Sequence, residues 1–142
     1  MKKVFLLLAM FGFLFQTHAQ SVLAKNVPAT VTAACMKAHP KATDVKWSKE
    51  GTKFESEFTE NGKTKSATFD DSGMLLENEK NVAIISLPAP IAKYVADNYK
   101  GKKIKEAAKM TDNKGVVTYE AEVNGKDLIF DAKGNYLKSV KD

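Results

Sequence analysis

Two stretches of this chain, sixty residues apart, open in the same way. Val27-Pro28-Ala29 begins a run with helical spacing that ends near His39-Pro40, and Leu87-Pro88-Ala89 begins another that ends near Tyr99-Lys100-Gly101. Proline in a first helical turn loses no hydrogen bond, because its missing N–H would have had no partner there. Val31, Cys35 and His39 correspond to Ile91, Val95 and Tyr99, a stripe at four-residue spacing that predicts one core-facing side on each helix. A repeat of this length is the strongest constraint on the fold, because each half must then solve the same packing problem.

Four strand-like segments follow each helix: 44–49, 52–60, 63–70 and 74–79 in the first half, and 103–110, 116–123, 126–131 and 135–140 in the second. Asn61-Gly62 and Asn124-Gly125 are two-residue hairpin turns, since both central positions need positive φ. Asp70-Asp71-Ser72-Gly73 and Asp131-Ala132-Lys133-Gly134 repeat an Asp-x-x-Gly turn. If the Asn-Gly pairs close two-residue loops, Phe54 faces Phe69, Ser56 faces Ala67 and Glu60 faces Lys63. In the second hairpin Tyr119 faces Phe130, Ala121 faces Leu128 and Val123 faces Lys126. The first hairpin is longer by two residues per arm, an even extension that leaves every side chain on its original face.

The fold class expected is therefore α+β. Two tandem helix-plus-four-stranded antiparallel repeats, 20–80 and 81–142, form one composite body with both helices on one sheet face. Half-chains of about sixty residues bury too little surface to be robust alone, so the two gain by packing together or by continuing one sheet into the other. The joining stretch Val82-Ala83-Ile84-Ile85 is too apolar for a solvated linker, which predicts one composite body.

Residues 1–19 stand outside this scheme. Met1-Lys2-Lys3 is a cationic start, residues 4–15 form a nearly unbroken apolar run, and Thr17-His18-Ala19 places small residues three apart before Gln20. That layout is a secretory signal peptide cleaved between Ala19 and Gln20. Twelve apolar residues fall short of the roughly 20 that span a bilayer, so no transmembrane anchor is expected after cleavage. The expected location is periplasmic or secreted, in a bacterium. One cysteine, Cys35, cannot close an internal disulfide, so stability in an oxidising compartment must come from packing.

Charge excludes several function classes. All 22 basic residues are Lys, and against 17 acidic residues they give +5. The leader carries two of those lysines, 20–80 is neutral, and 81–142 holds the remaining +3. Without arginine the chain lacks the planar fork used for base edges and bidentate anion recognition, and Lys100, Lys102, Lys103 and Lys105 read as a solvated loop. No specific nucleic-acid binding is expected. There is no Gly-x-Ser-x-Gly elbow, His-Glu-x-x-His helix or phosphate-cradling glycine loop, so the chain is read as no enzyme, with no cofactor and no metal. Cys35 is a buried small apolar residue, a redox sensor or an intermolecular bridge, and its place on the core stripe, matched to Val95, favours the first. His39 is an amphipathic edge residue or a base, and Trp47, aligned with Glu106, is a core plug or an exposed contact.

The helix-plus-four-strand repeat, the opening Leu87-Pro88-Ala89-Pro90-Ile91, and the run from Tyr119 through Asn124-Gly125-Lys126 into Phe130-Asp131-Ala132-Lys133-Gly134 resemble the PepSY-like family of bacterial exported proteins. That family is described as similar to beta-lactamase inhibitory protein, a saddle-shaped antiparallel sheet of two tandem repeats with helices on its convex side. The resemblance implies a saddle-like form for the sheet of this chain and an exported interaction module without chemistry of its own, and its inhibitory branch implies hydrolase inhibition.

Two function classes follow. The first is a binding module for another exported protein that uses the sheet face away from the helices, with Glu55, Glu57, Glu120 and Glu122, and the hairpin tips Asn61, Gly62, Asn124 and Gly125. That face is acidic and hydroxylic and lacks the Trp, Tyr and Arg anchors of tight interfaces. The second class is a carrier or sensor of a small or polymeric ligand held between the repeats. Oligomeric state does not follow from the sequence.

Overall fold

The computed structural model describes residues 19–141. The proposed leader and its cleavage after Ala19 lie almost wholly outside the described residues. The described residues form nine strands and two α-helices: β1 (Gln20–Val22), α1 (Ala29–Ala38), β2 (Thr43–Glu50), β3 (Lys53–Glu60), β4 (Lys63–Phe69), β5 (Leu75–Asn81), α2 (Ala89–Asn98), β6 (Ala107–Asp112), β7 (Val117–Glu122), β8 (Lys126–Asp131) and β9 (Tyr136–Lys141). All nine strands lie in sequence order in one antiparallel sheet. The fold is α+β with an open sheet.

Both helices begin at a proline N-cap, Pro28 and Pro88. Both end where the backbone N–H of His39 or Tyr99 bonds the carbonyl of Cys35 or Val95, each at 2.8 Å. Asn61 and Asn124 take positive φ with the glycine that follows each, so both hairpins are closed by the expected two-residue turns. Phe54 faces Phe69, Ser56 faces Ala67, Tyr119 faces Phe130 and Ala121 faces Leu128, as the turn arithmetic requires. The Asp-x-x-Gly turns are built by the aspartate itself: Asp70 Oδ1 accepts the N–H groups of Ser72 and Met74, and Asp131 Oδ1 those of Lys133 and Asn135. Both carboxyls are held below the usual range, chiefly by side-chain hydrogen bonds from Ser72 and from Asn135. Asp112-Asn113-Lys114-Gly115 forms a third such turn.

Residues directly opposite across an antiparallel pair share a face, so the register carries one face continuously from Phe54 and Phe69 to Tyr119 and Phe130. Val31 and Cys35 of α1 pack there with Trp47, Phe54, Phe58 and Phe69. Ile91 and Val95 of α2 pack with Ala121, Val123, Leu128 and Phe130 on the same side. Each fully buried aromatic or large aliphatic side chain stabilises the fold by roughly 1.5–3 kcal/mol.

The structure departs from the sequence reading at four places. β1 was not foreseen, three residues being too few to show alternation. β6 starts at Ala107 instead of 103, because Lys105 and Glu106 both hydrogen-bond across to Glu122, a bulge that ends the ladder. The joining stretch does not pack as its composition suggested, and Ile85 is 95% exposed. β5 pairs antiparallel with β6, Asn81 opposite Ala108, so of the two expected ways of joining the halves it is the continued sheet that does so. Trp47 is buried opposite Ser56, the place that Ala107 takes opposite Ala121, so its counterpart is Ala107 and not Glu106.

Candidate functional site

Among the described residues, no helix covers the second face of the sheet. Glu55 faces Thr68, then Glu77 and Asp112 across successive strands. Glu57 faces Ser66, Glu79, Met110 and Thr118 in the same way. Glu120 lies opposite Ala108 and Ile129, and Glu122 opposite Asp127. All four carboxylates expected on this face are on it. Asn61, Gly62, Asn124 and Gly125 are exposed but lie outside it. β3 and β7 run in the same direction in the alternating sheet, so both tips project from one end.

The sequence reading missed Glu77 and Glu79, which fill the middle of the face. Their parity was hidden by the bulge between Thr68 and Phe69: one extra residue moves every later side chain to the other face. Glu77 stands directly opposite Asp112, a like-charge cross-strand pair that costs stability. Burial, then Asp112, raises the Glu77 carboxyl above its ordinary range. Burial pushes Glu79 up to about 7, with Glu55, Glu77 and Asp127 adding to the rise. At neutral pH Glu79 therefore exchanges a proton with solvent.

The outer carboxylates are balanced differently. Glu57 lies 3.9 Å from Lys46 with both side chains mostly exposed, a pair worth under about 1 kcal/mol. Glu122 is largely covered and lies 3.1 Å from Lys105, while Ser48 Oγ donates to Glu55 Oε2. A cavity of about 200 Å³ opens among Glu55, Glu57, Ser66, Glu79, Asn81 and Glu106. Ala108, Met110 and Ile129 also belong to this face and are buried without any helix above them. Among the described residues, no group of three or more His, Cys, Asp or Glu side chains is placed to hold a metal ion.

His39, expected as a lone edge residue, is tied into the fold. Its Nε2 lies 2.9 Å from Asn78 Oδ1, its Nδ1 lies 3.5 Å from Glu60 Oε1, and its ring packs on Phe58 at 4.5 Å. Glu60 also accepts a hydrogen bond from Lys65, which with His39 holds its carboxyl below the usual range. No sequence signal could show this, since the partners lie 21 and 39 residues away. Cys35 is buried, its Sγ 3.4 Å from Ser56 Oγ, which itself donates to the Ala67 carbonyl. Beside α1 an apolar groove of about 410 Å³ runs over Cys35, Met36, Pro40, Val45 and Trp47.

A family described provisionally as beta-lactamase-inhibitor-like, PepSY-like, matches residues 52–138. No curated protein matches the chain. Solved structures do. A DUF2874 family protein from Bacteroides uniformis is 20% identical, with 80% of this chain and 88% of that one covered at a TM-score of 0.70. A protein from Bacteroides eggerthii, named provisionally as periplasmic, is 16% identical over 81% and 88%, with a TM-score of 0.72. A BLIP-like protein from Bacteroides fragilis is 23% identical over 80% and 86%, with a TM-score of 0.64. At these identities the likeness is one of fold. Among the described residues no helix is long and apolar enough to cross a membrane. With most of the chain spanned by one family, this protein belongs to the beta-lactamase-inhibitor-like, PepSY-like family.

Proposed function

We propose that this protein is a non-enzymatic exported binding module whose helix-free sheet face takes a basic surface of another exported protein. The observation that carries the reading is the convergence of Glu55, Glu57, Glu77, Glu79, Glu120 and Glu122 on one uncovered face, with Glu77 set against Asp112. A local like-charge arrangement, on a chain that carries a net +3 outside its leader, is relieved by a cationic partner, which gives selectivity and fast association more than raw affinity. We take the two halves as tandem copies forming a saddle-like sheet. Concavity on the helix-free side accounts for the burial of Ala108, Met110 and Ile129. Export to the periplasm is supported by the leader pattern and by the provisional name of the Bacteroides eggerthii relative.

The face presents acidic and hydroxyl groups, without the aromatic and arginine anchors of tight inhibitors, so weak, salt-sensitive binding is expected in place of beta-lactamase inhibition. The test is capture from a periplasmic extract on the immobilised protein, with Glu57 and Glu122 both changed to Lys. Retained proteins should fall at least tenfold with the charge reversal and again at 300 mM salt. Undiminished capture by the double variant would contradict the reading.

A further inference from the structure

A second cavity, of about 570 Å³, lies between the start of β4 and the stretch that leads from β5 to α2. It is lined by Lys63, Thr64, Lys80, Asn81, Val82 and Ala83, together with Ser86. No carboxylate lines it. The acid nearest in register, Glu60, lies opposite Lys63 but is engaged by Lys65 and His39, which leaves the Lys63 ammonium to the cavity side. Lys80 sits in a row of like charges, directly opposite Lys65 on one side and Lys109 on the other. Positions directly opposite are about 5 Å apart at Cβ, and like charges there destabilise a sheet. This cationic row lies at the junction of the two halves, where neither core cluster reaches.

We propose that this cavity binds a phosphate ester. Two lysine ammonium groups, without an ion-pair partner among the described residues, supply positive charge, and as compact point charges they suit a phosphate oxygen shell better than they suit a planar carboxylate. Thr64 and Asn81 alternate with the two lysines along their strands and belong to the other sheet face, so they border the cavity while the lysines carry the recognition. Ser86 contributes shape only, because its hydroxyl already donates to the Ala83 carbonyl. Val82 and Ala83 form an apolar wall, and the volume exceeds what a bare phosphate fills, so the ligand carries an organic group on the ester oxygen. The neighbouring Ile84 and Ile85 are exposed, Ile85 at 95%. A soluble phosphate ester and a phospholipid headgroup therefore share the chemistry this site would recognise. Thr64 and Asn81 also border the acidic cavity of the helix-free face, whereas Lys63 and Lys80 do not, so failure of the lysine pair to bind would leave the binding-module reading untouched.

The experiment titrates the full mature chain with glycerol 3-phosphate at constant ionic strength in chloride, following backbone amide shifts by NMR. In parallel, flotation is measured with vesicles of phosphatidylcholine and phosphatidylglycerol at three to one. A saturable shift at Lys63, Thr64, Lys80 and Asn81 identifies a soluble ester, and flotation identifies the headgroup. Lys63→Gln and Lys80→Gln should each weaken the responding arm by about tenfold, while Lys133→Gln, in the turn at the opposite end of the sheet, should leave it unchanged. Both lysines are exposed, so the variants should keep the parent's thermal midpoint or gain slightly through relief of the Lys80 repulsion. No response in either arm, or a response that survives both substitutions, would overturn the proposal.

Discussion

Gly73 lies so close beneath the first turn of α1 that a β-carbon on it would stand 2.8 Å from the Thr30 carbonyl oxygen. Its φ of 89° is also a conformation that side chains disfavour. Gly134 holds the matching place in the second half, 3.2 Å from the β-carbons of Pro88 and Pro90. The Asp-x-x-Gly turns are thus seats for the helix starts as well as chain reversals. Gly73→Ala should cost about 2–4 kcal/mol, from backbone strain plus the clash with a rigid carbonyl. Gly62→Ala, with open space around it, should cost about 1–2 kcal/mol from strain alone. Urea denaturation midpoints of the two variants measure the difference.

Glu79 should make stability fall with rising pH. Its carboxyl titrates near 4.5 in the unfolded chain and at about 7 in the fold. Between those values the folded state keeps a proton that the unfolded state has lost, so stability declines across that window and the full cost is present above it. That cost is about 3 kcal/mol at most. Glu79→Gln should raise the unfolding free energy by up to that amount at pH 8 and by almost nothing at pH 4, flattening the profile. A parallel offset at both pH values would contradict the assignment.

His39 fastens the end of α1 to β3 and β5 through Glu60 and Asn78. His39→Ala removes both links and the contact with Phe58, leaving partly buried groups with fewer partners. A loss of about 1–3 kcal/mol is expected. The equivalent change in the second half, Tyr99→Ala, serves as the comparison. Hydrogen exchange of the α1 amides should quicken in His39→Ala while α2 stays protected.

Cys35 and Ser56 form a small polar contact where the second half has Val95 and Ala121. Replacing both members of a buried polar pair with apolar groups of similar size is often nearly neutral. Cys35→Val with Ser56→Ala should therefore change stability by less than about 1 kcal/mol. In the parent, a thiol reagent should modify Cys35 only at the rate of opening, since the side chain is buried.

Much of this fold is legible in the sequence because its signals are local. Asn61-Gly62 and Asn124-Gly125 set both hairpin registers, and the parity of those registers put Glu55, Glu57, Glu120 and Glu122 on one face. What was not legible depends on irregularity or distance. The bulge beside Phe69 hid Glu77 and Glu79, the centre of the candidate site. The bulge at Glu122 shortened β6 and shifted the match of Trp47 by one residue. The exposure of the apolar Ile84 and Ile85 was not legible, although a sheet continued from one half into the other was one of the two expected ways of joining them. The partners of His39 are close only in space.

Carboxyl footprinting of the protein with its captured partner tests the helix-free face most directly. Side-chain carboxylates are labelled with a carbodiimide and an amine, free and in complex, and read by mass spectrometry. Labelling of Glu55, Glu57 and Glu77 should fall severalfold in the complex, while Asp71, in the turn seated against α1, and Asp97 on α2 stay unchanged. Unaltered labelling of the three glutamates, with protection at Asp71 or Asp97 instead, would contradict the central claim.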